Sequence, residues 1–100
     1  MEKRIPHCRL AVVHALVDAG RVRTTRTALE GAAAMGLDFQ GVKEIVRELG
    51  PADFFKSMTT NADHRIWQDV YRPTTQAGRV YLKLTGIDDV LIVSFKELGP

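Results

Sequence analysis

The sequence predicts an α+β fold, with three N-terminal helices packed on one face of an antiparallel sheet of about four main strands. Two observations carry this. Apolar residues recur with the helical period of 3.6 up to Gly50-Pro51, and beyond that point with the strand period of 2. Helical segments followed by a run of strands, rather than alternating with them, favour an antiparallel sheet over a parallel one.

The first helix opens near Pro6, whose ring suits a first turn. It lines one side with Leu10, Val13, Leu16 and Val17 and stops at Gly20. The second takes Thr24 or Thr25 as its cap, and Thr27 with Glu30 also has the S/T-x-x-E spacing. Leu29, Ala32, Ala33 and Met35 are its expected lining, and Gly36 its end. The third starts after Asp38, carries the stripe Phe39, Val42, Ile45, Val46 and Leu49, and closes at Gly50-Pro51. Four strands follow, over residues 54–59, 66–72, 79–87 and 90–96, each rich in aromatic and β-branched side chains.

The last two strands read as a hairpin. With Asp88-Asp89 as a two-residue turn, Leu82 faces Phe95, Leu84 faces Val93 and Gly86 faces Leu91, an apolar face shared with Val80. The other face then pairs Tyr81 with Lys96, Lys83 with Ser94 and Thr85 with Ile92. A slip of one residue would bury the lysines, so burial selects this orientation. Directly opposed residues have Cβ atoms about 4.5–5.5 Å apart, which brings Tyr81 and Lys96 within reach of one small group.

Composition limits the alternatives. One hundred residues, 45% hydrophobic and 26% charged, make one domain spanning residues 1–100 and exclude disordered, collagen-like and coiled-coil classes. No apolar run approaches the roughly 18 residues that a membrane span needs, and the polar start lacks a signal-peptide core. A cytoplasmic protein without membrane attachment is expected. A single cysteine, Cys8, rules out an internal disulfide and reads as a packed thiol. The net charge is +2. Residues 1–26 hold six of the 14 Lys and Arg against Glu2 and Asp18, whereas residues 27–55 hold two against five acids.

Known signatures are few. His7, His14, His64 and Cys8 fit no ligand spacing, so neither a metal nor another cofactor is expected. No phosphate-binding glycine loop, nucleophile elbow or zinc-protease motif occurs. The third helix exposes Lys43, Glu44, Arg47 and Glu48, alternating signs that disfavour it as a DNA-recognition helix. The polar sheet face is the better candidate. Tyr81, Lys83, Lys96 and Ser94, with Lys56 and with Arg79 or Arg72 at a rim, make a cationic, hydrogen-bonding surface suited to phosphate. Clustered cations stabilise a phosphorane, whose extra negative charge develops only in the transition state. The plain alternative is a solvated outer face. Trp67 and Tyr71 have the aromatic faces on which bases stack, although strand spacing also suits them to the core.

Several runs then identify a relative. Met1-Glu2-Lys3-Arg4, Val22-Arg23-Thr24-Thr25-Arg26, Gly36-Leu37-Asp38-Phe39, Lys56-Ser57-Met58-Thr59-Thr60, Ile66-Trp67-Gln68-Asp69-Val70-Tyr71-Arg72-Pro73 and Asp89-Val90-Leu91-Ile92-Val93-Ser94-Phe95-Lys96-Glu97 strongly resemble the MqsR toxin (motility quorum-sensing regulator) family, from Met1 to about Glu97. The resemblance implies a RelE-like, microbial-ribonuclease fold. It implies the toxin of a type II toxin–antitoxin system, a ribosome-independent endoribonuclease that cuts mRNA at GC-containing triplets such as GCU. The implied partner is an MqsA-type antitoxin containing zinc, through which alone DNA is reached. The implied catalytic positions are Lys56, Gln68, Tyr81 and Lys96; the residue pattern itself, and not the resemblance, offers Lys83, Arg72, Arg79 and Trp67 as candidate RNA contacts. The competing reading is a non-catalytic nucleic-acid-binding regulatory module.

Overall fold

The computed structural model describes residues 1–99. In chain order the elements are β1 (Glu2–Lys3), α1 (Leu10–Asp18), β2 (Val22–Thr24), α2 (Arg26–Ala34), α3 (Phe39–Arg47), a 3-10 turn at Pro51–Asp53, β3 (Phe54–Thr59), β4 (Trp67–Tyr71), β5 (Thr74–Thr75), β6 (Gly78–Gly86) and β7 (Val90–Glu97). The class is α+β, as the change of period predicts, with three helices and a mostly antiparallel sheet.

Two features of the expected architecture are corrected. Among the described residues the sheet has seven strands rather than about four, in the order β1-β3-β4-β6-β7-β2, with β5 paired to β6 off that path. The helices do not form an unbroken N-terminal block, because β1 precedes α1 and β2 separates α1 from α2. Strands of two or three residues carry no measurable alternation. They exist by pairing: Glu2 and Lys3 opposite Met58 and Ser57, and Val22–Thr24 parallel to β7. Short edge strands also limit pairing with other chains.

The starts of α2 and α3 follow their capping residues, whereas α1 begins at Leu10 after Arg9, which makes no side-chain cap, and not near Pro6 as expected. Thr25 Oγ1 accepts from Ala28 N–H at 3.1 Å, and Asp38 Oδ1 accepts from Gly41 N–H at 2.8 Å. Gly20 and Gly36 take positive φ, 76° and 78°, the left-handed stops after α1 and α2. Thr27, the other S/T-x-x-E threonine, lies inside α2. The lining of α2 also differs from expectation: Ala28 and Ala32 are buried, while Leu29 and Ala33 are exposed. The cause is close approach. A Cβ added to Gly31 would overlap the Phe95 carbonyl, so α2 lies directly on the β7 backbone and only small residues fit beneath it.

The hairpin register holds at its open end and shifts near its turn. Tyr81 pairs with Lys96, Leu82 with Phe95 and Lys83 with Ser94. Beyond these, Leu84 pairs with Ile92, Thr85 with Leu91 and Gly86 with Val90. Val93 is therefore an extra residue on β7, and the turn is three residues long, Ile87-Asp88-Asp89. This bulge carries Ile92 and Val90 into the core and leaves Leu91 and Val93 partly exposed, the reverse of the two-residue-turn expectation. Carbonyls near the bulge find partners in the α2 cap. Thr25 N–H donates to Ile92 O at 3.0 Å, and Thr25 Oγ1 donates to Val93 O at 2.9 Å.

The core lies between the helices and one face of the sheet. Val13, Val17, Ala28, Ala32, Val42, Val46 and Leu49 meet Val80, Leu82, Leu84, Val90, Ile92 and Phe95, all buried. No helix is long and apolar enough to cross a membrane among the described residues.

Candidate active site

A second bulge sets up the face turned away from the helices. Phe54 pairs with Tyr71, and the next matched pair is Lys56 with Val70, leaving Phe55 extra. Simple alternation would put residues 54 and 56 on the same side. The bulge instead lets the Phe54 ring meet Tyr71 edge-on in the core, centroids 5.4 Å apart, and turns Lys56 outward.

The remaining strands follow from register. Val70 pairs with Lys83, so Gln68, two residues earlier, shares the face of Lys83, Tyr81 and Thr85. Tyr81 is matched to Lys96 and Lys83 to Ser94 across β6 and β7. Lys56, Gln68, Tyr81, Lys83 and Lys96, from four adjacent strands, thus occupy one face. Lys96 Nζ stands 5.1 Å from the Tyr81 ring centroid, a cation–π distance. Val70 is fully buried on this face without joining the helix-side core, so it forms an apolar floor beneath the polar chains.

One carboxylate reaches this face. The pairing of β1 with β3 puts Glu2 beside Lys56, with Oε2 2.8 Å from Nζ. The hydrogen bond and charge of Lys56 hold the Glu2 carboxyl below the ordinary carboxylate value. Among the described residues, no carboxylate pairs with Lys83, Lys96, Arg72, Arg79 or Arg4.

The other sequence-derived positions divide. Arg79 is exposed and precedes Tyr81 by two residues on β6. Arg72 follows β4, its guanidinium 3.7 Å from the Phe55 ring centroid. Trp67 is not brought together with these groups. It shares the side of Asp69 and Tyr71, stacks on His7 with centroids 5.6 Å apart, and has Lys3 Nζ 4.2 Å from its ring. Tyr71 is a core residue. Its hydroxyl is buried without a partner among the described residues, and burial, then the charge of Asp69, pushes the phenol up. Cys8 is buried, as a packed thiol should be, and burial also raises it. Among the described residues, no three His, Cys, Asp or Glu side chains gather as a metal ion would require.

Sequence reading misses three participants. Glu2 lies in a stretch with no strand signal. Phe55 is hidden by the bulge, since simple alternation already puts adjacent Phe54 and Phe55 on opposite faces and marks no extra residue. Asp69 is 1% exposed and accepts from His7 N–H and Cys8 N–H, each at 2.9 Å, which ties the segment between β1 and α1 to the centre of the sheet.

Comparison with known proteins adds a family. The model of a family described as motility quorum-sensing regulator, toxin of MqsA, matches residues 5–97. The mRNA interferase toxin MqsR of Escherichia coli (strain K12) is 62% identical over 97 residues, which cover 97% of this chain and 99% of that protein.

Proposed function

Since the chain belongs to the MqsR toxin family, we propose that it is an mRNA interferase, the endoribonuclease toxin of a toxin–antitoxin pair, and that the open sheet face is its active site. The observation that carries this reading is the convergence of Lys56, Gln68, Tyr81 and Lys96 on one face outside the core. Such a face suits an extended, anionic, single-stranded substrate, because lysines supply charge to the backbone without reading sequence.

The chemistry is transesterification within the RNA. The 2′-hydroxyl gives up its proton to water at this solvent-facing site, and O2′ bonds to the adjacent phosphorus. The P–O5′ bond breaks, O5′ takes a proton from Tyr81, and the phenolate regains a proton from water. The products are a 2′,3′-cyclic phosphate and a 5′-hydroxyl. Lys56 and Lys96 hold the non-bridging oxygens and stabilise the phosphorane. Gln68 orients phosphate or ribose by amide hydrogen bonds. Glu2 must yield Lys56 when a phosphate enters, so it competes with substrate. In this scheme no metal takes part, the cut falls at GC-containing triplets such as GCU, and an MqsA-type zinc-containing antitoxin neutralises the enzyme and provides its only route to DNA.

The test uses a short end-labelled RNA with one GCU, in EDTA, beside a strand carrying 2′-deoxyribose at that triplet. Cleavage of the all-ribose strand alone, leaving a cyclic phosphate end, is expected. Binding of both strands without cleavage of either would contradict the enzyme and favour a binding module.

A further inference from the structure

The bulge in β3 builds a cationic cluster that shares Lys56 with the catalytic scheme and adds Arg4 and Arg72, which that scheme does not use. Around the Phe55 ring stand three cations: Arg72 Cζ at 3.7 Å from the centroid, Lys56 Nζ at 5.3 Å and Arg4 Cζ at 5.6 Å. Arg4 Nη1 also donates to the Phe55 carbonyl at 3.4 Å. Three separate segments meet there: Arg4 follows β1, Phe55 lies in β3 and Arg72 follows β4. Both guanidinium groups are exposed, and neither meets a carboxylate among the described residues.

An aromatic ring and a carboxylate order an arginine differently. A carboxylate takes N–H donors and cancels the charge. A ring attracts the cation through its quadrupole and leaves charge and in-plane donors available. Phe55 therefore gathers two guanidinium groups at one ring, against their mutual repulsion; Arg4 spends one donor on the Phe55 carbonyl, and no carboxylate among the described residues takes the others. That is the arrangement a phosphodiester group fits, since guanidinium matches its oxygens in bidentate geometry. Lys56 borders both the catalytic face and this cluster, which makes the two continuous.

We propose that Arg4, Phe55 and Arg72 form a second phosphate-binding subsite, which clamps the backbone phosphodiester next to the scissile one and directs the RNA strand out across the β3 bulge. This rests on the ribonuclease reading of the adjoining face. The clamp reads backbone and not base, so it adds affinity and register to any sequence cut at the neighbouring site.

The experiment measures dissociation constants against salt for a short RNA made uncleavable by a single 2′-deoxy residue at the cut site. Arg4→Gln with Arg72→Gln is expected to weaken binding about tenfold. It should also flatten the plot of log affinity against log salt by about 1.4, since each of the two cations removed neutralises single-strand phosphate charge worth about 0.7 in slope. Phe55→Leu keeps both charges, so it should weaken binding about threefold with the salt slope unchanged. Truncating the RNA on one side of the cut should close the gap between wild type and the double variant, and truncating the other side should not. Equal affinity and slope in the double variant would overturn the clamp, as would a gap that survives both truncations. Cleavage of the all-ribose strand by the wild type is scored separately. Its absence, with the binding differences intact, would remove the nuclease reading and leave the clamp standing.

Discussion

On the helix side of the molecule, Arg47 lies between Asp18 and Glu44, and Arg26 pairs with Glu30. On the open face, Lys96 stands over the Tyr81 ring and Arg72 over Phe55, with no acid beside either among the described residues. Near the helices, Arg47 and Arg26 are neutralised by neighbouring acids and the interior is closed by small residues, down to Gly31 against the Phe95 backbone. On the open face, Lys96 and Arg72 are held by aromatic rings and keep their charge, while Lys56 is paired with Glu2. One sheet thus divides its work by alternation. Residues pointing one way hold the fold, and their immediate neighbours point the other way, where the proposed function has them meet an anion.

That division can be broken from either side. The largest effect is expected for Lys56→Ala or Lys96→Ala, which should lower single-turnover cleavage by 100-fold or more, about 2.7 kcal/mol of transition-state stabilisation. Urea midpoints should hold to within about 0.5 kcal/mol, as for ordinary surface changes. From the opposite side, Gly31→Ala should destabilise by about 2–3 kcal/mol in urea unfolding, because the added methyl meets fixed backbone. Asp69→Ala strips the acceptors from two N–H groups near the sheet centre and should cost about 2–3 kcal/mol by the same measurement.

Tyr71 gives a pH test of the closed side. Its folded value is raised, so the folded state keeps the phenolic proton after the unfolded chain begins to lose it near pH 10. The unfolded state then binds fewer protons and stability must fall. Its contribution is complete below pH 10 and declines above it by about 1.4 kcal/mol per pH unit. Tyr71→Phe should remove that part of the alkaline decline, and at neutral pH it should be neutral or slightly stabilising because an unpartnered hydroxyl is lost. Glu2→Gln is expected to have the smallest effect. It frees Lys56 from its competitor, so KM for RNA should fall about two- to threefold with kcat little changed.

What the sequence makes legible follows the length of each signal. Helix ends marked by Thr25, Asp38, Gly20 and Gly36 appear where their chemistry puts them. Hairpin arithmetic reaches the pairing of Tyr81 with Lys96 only because the extra residue in the turn is offset by the extra Val93 in β7, and the same face is reached from the family resemblance. The losses are local. The chain turns through three residues where Asp88-Asp89 suggests two, and that one residue moves Ile92 into the core and Val93 out of it. The strands β1 and β2 are too short to show a period, so nothing in the sequence marks Glu2 as a partner of Lys56. Trp67 has the look of a base-stacking platform, but the parity of β4, fixed only once Val70 is matched to Lys83, sends it to the opposite side. Bulges and registers are tertiary facts, and each moves a side chain across the sheet without changing the composition that announces the strand.

The central claim is that the open face performs chemistry that the fold does not need. Tyr81→Phe tests it most directly, since it removes one oxygen from a half-buried ring and leaves the cation–π platform for Lys96 in place. The measurement is the single-turnover cleavage rate of an RNA containing one GCU, taken on a preparation whose urea midpoint matches the wild type. The account predicts a loss of about 100-fold or more in that rate. Cleavage at the wild-type rate would contradict the acid role of Tyr81 and, with it, the proposed proton transfer to O5′.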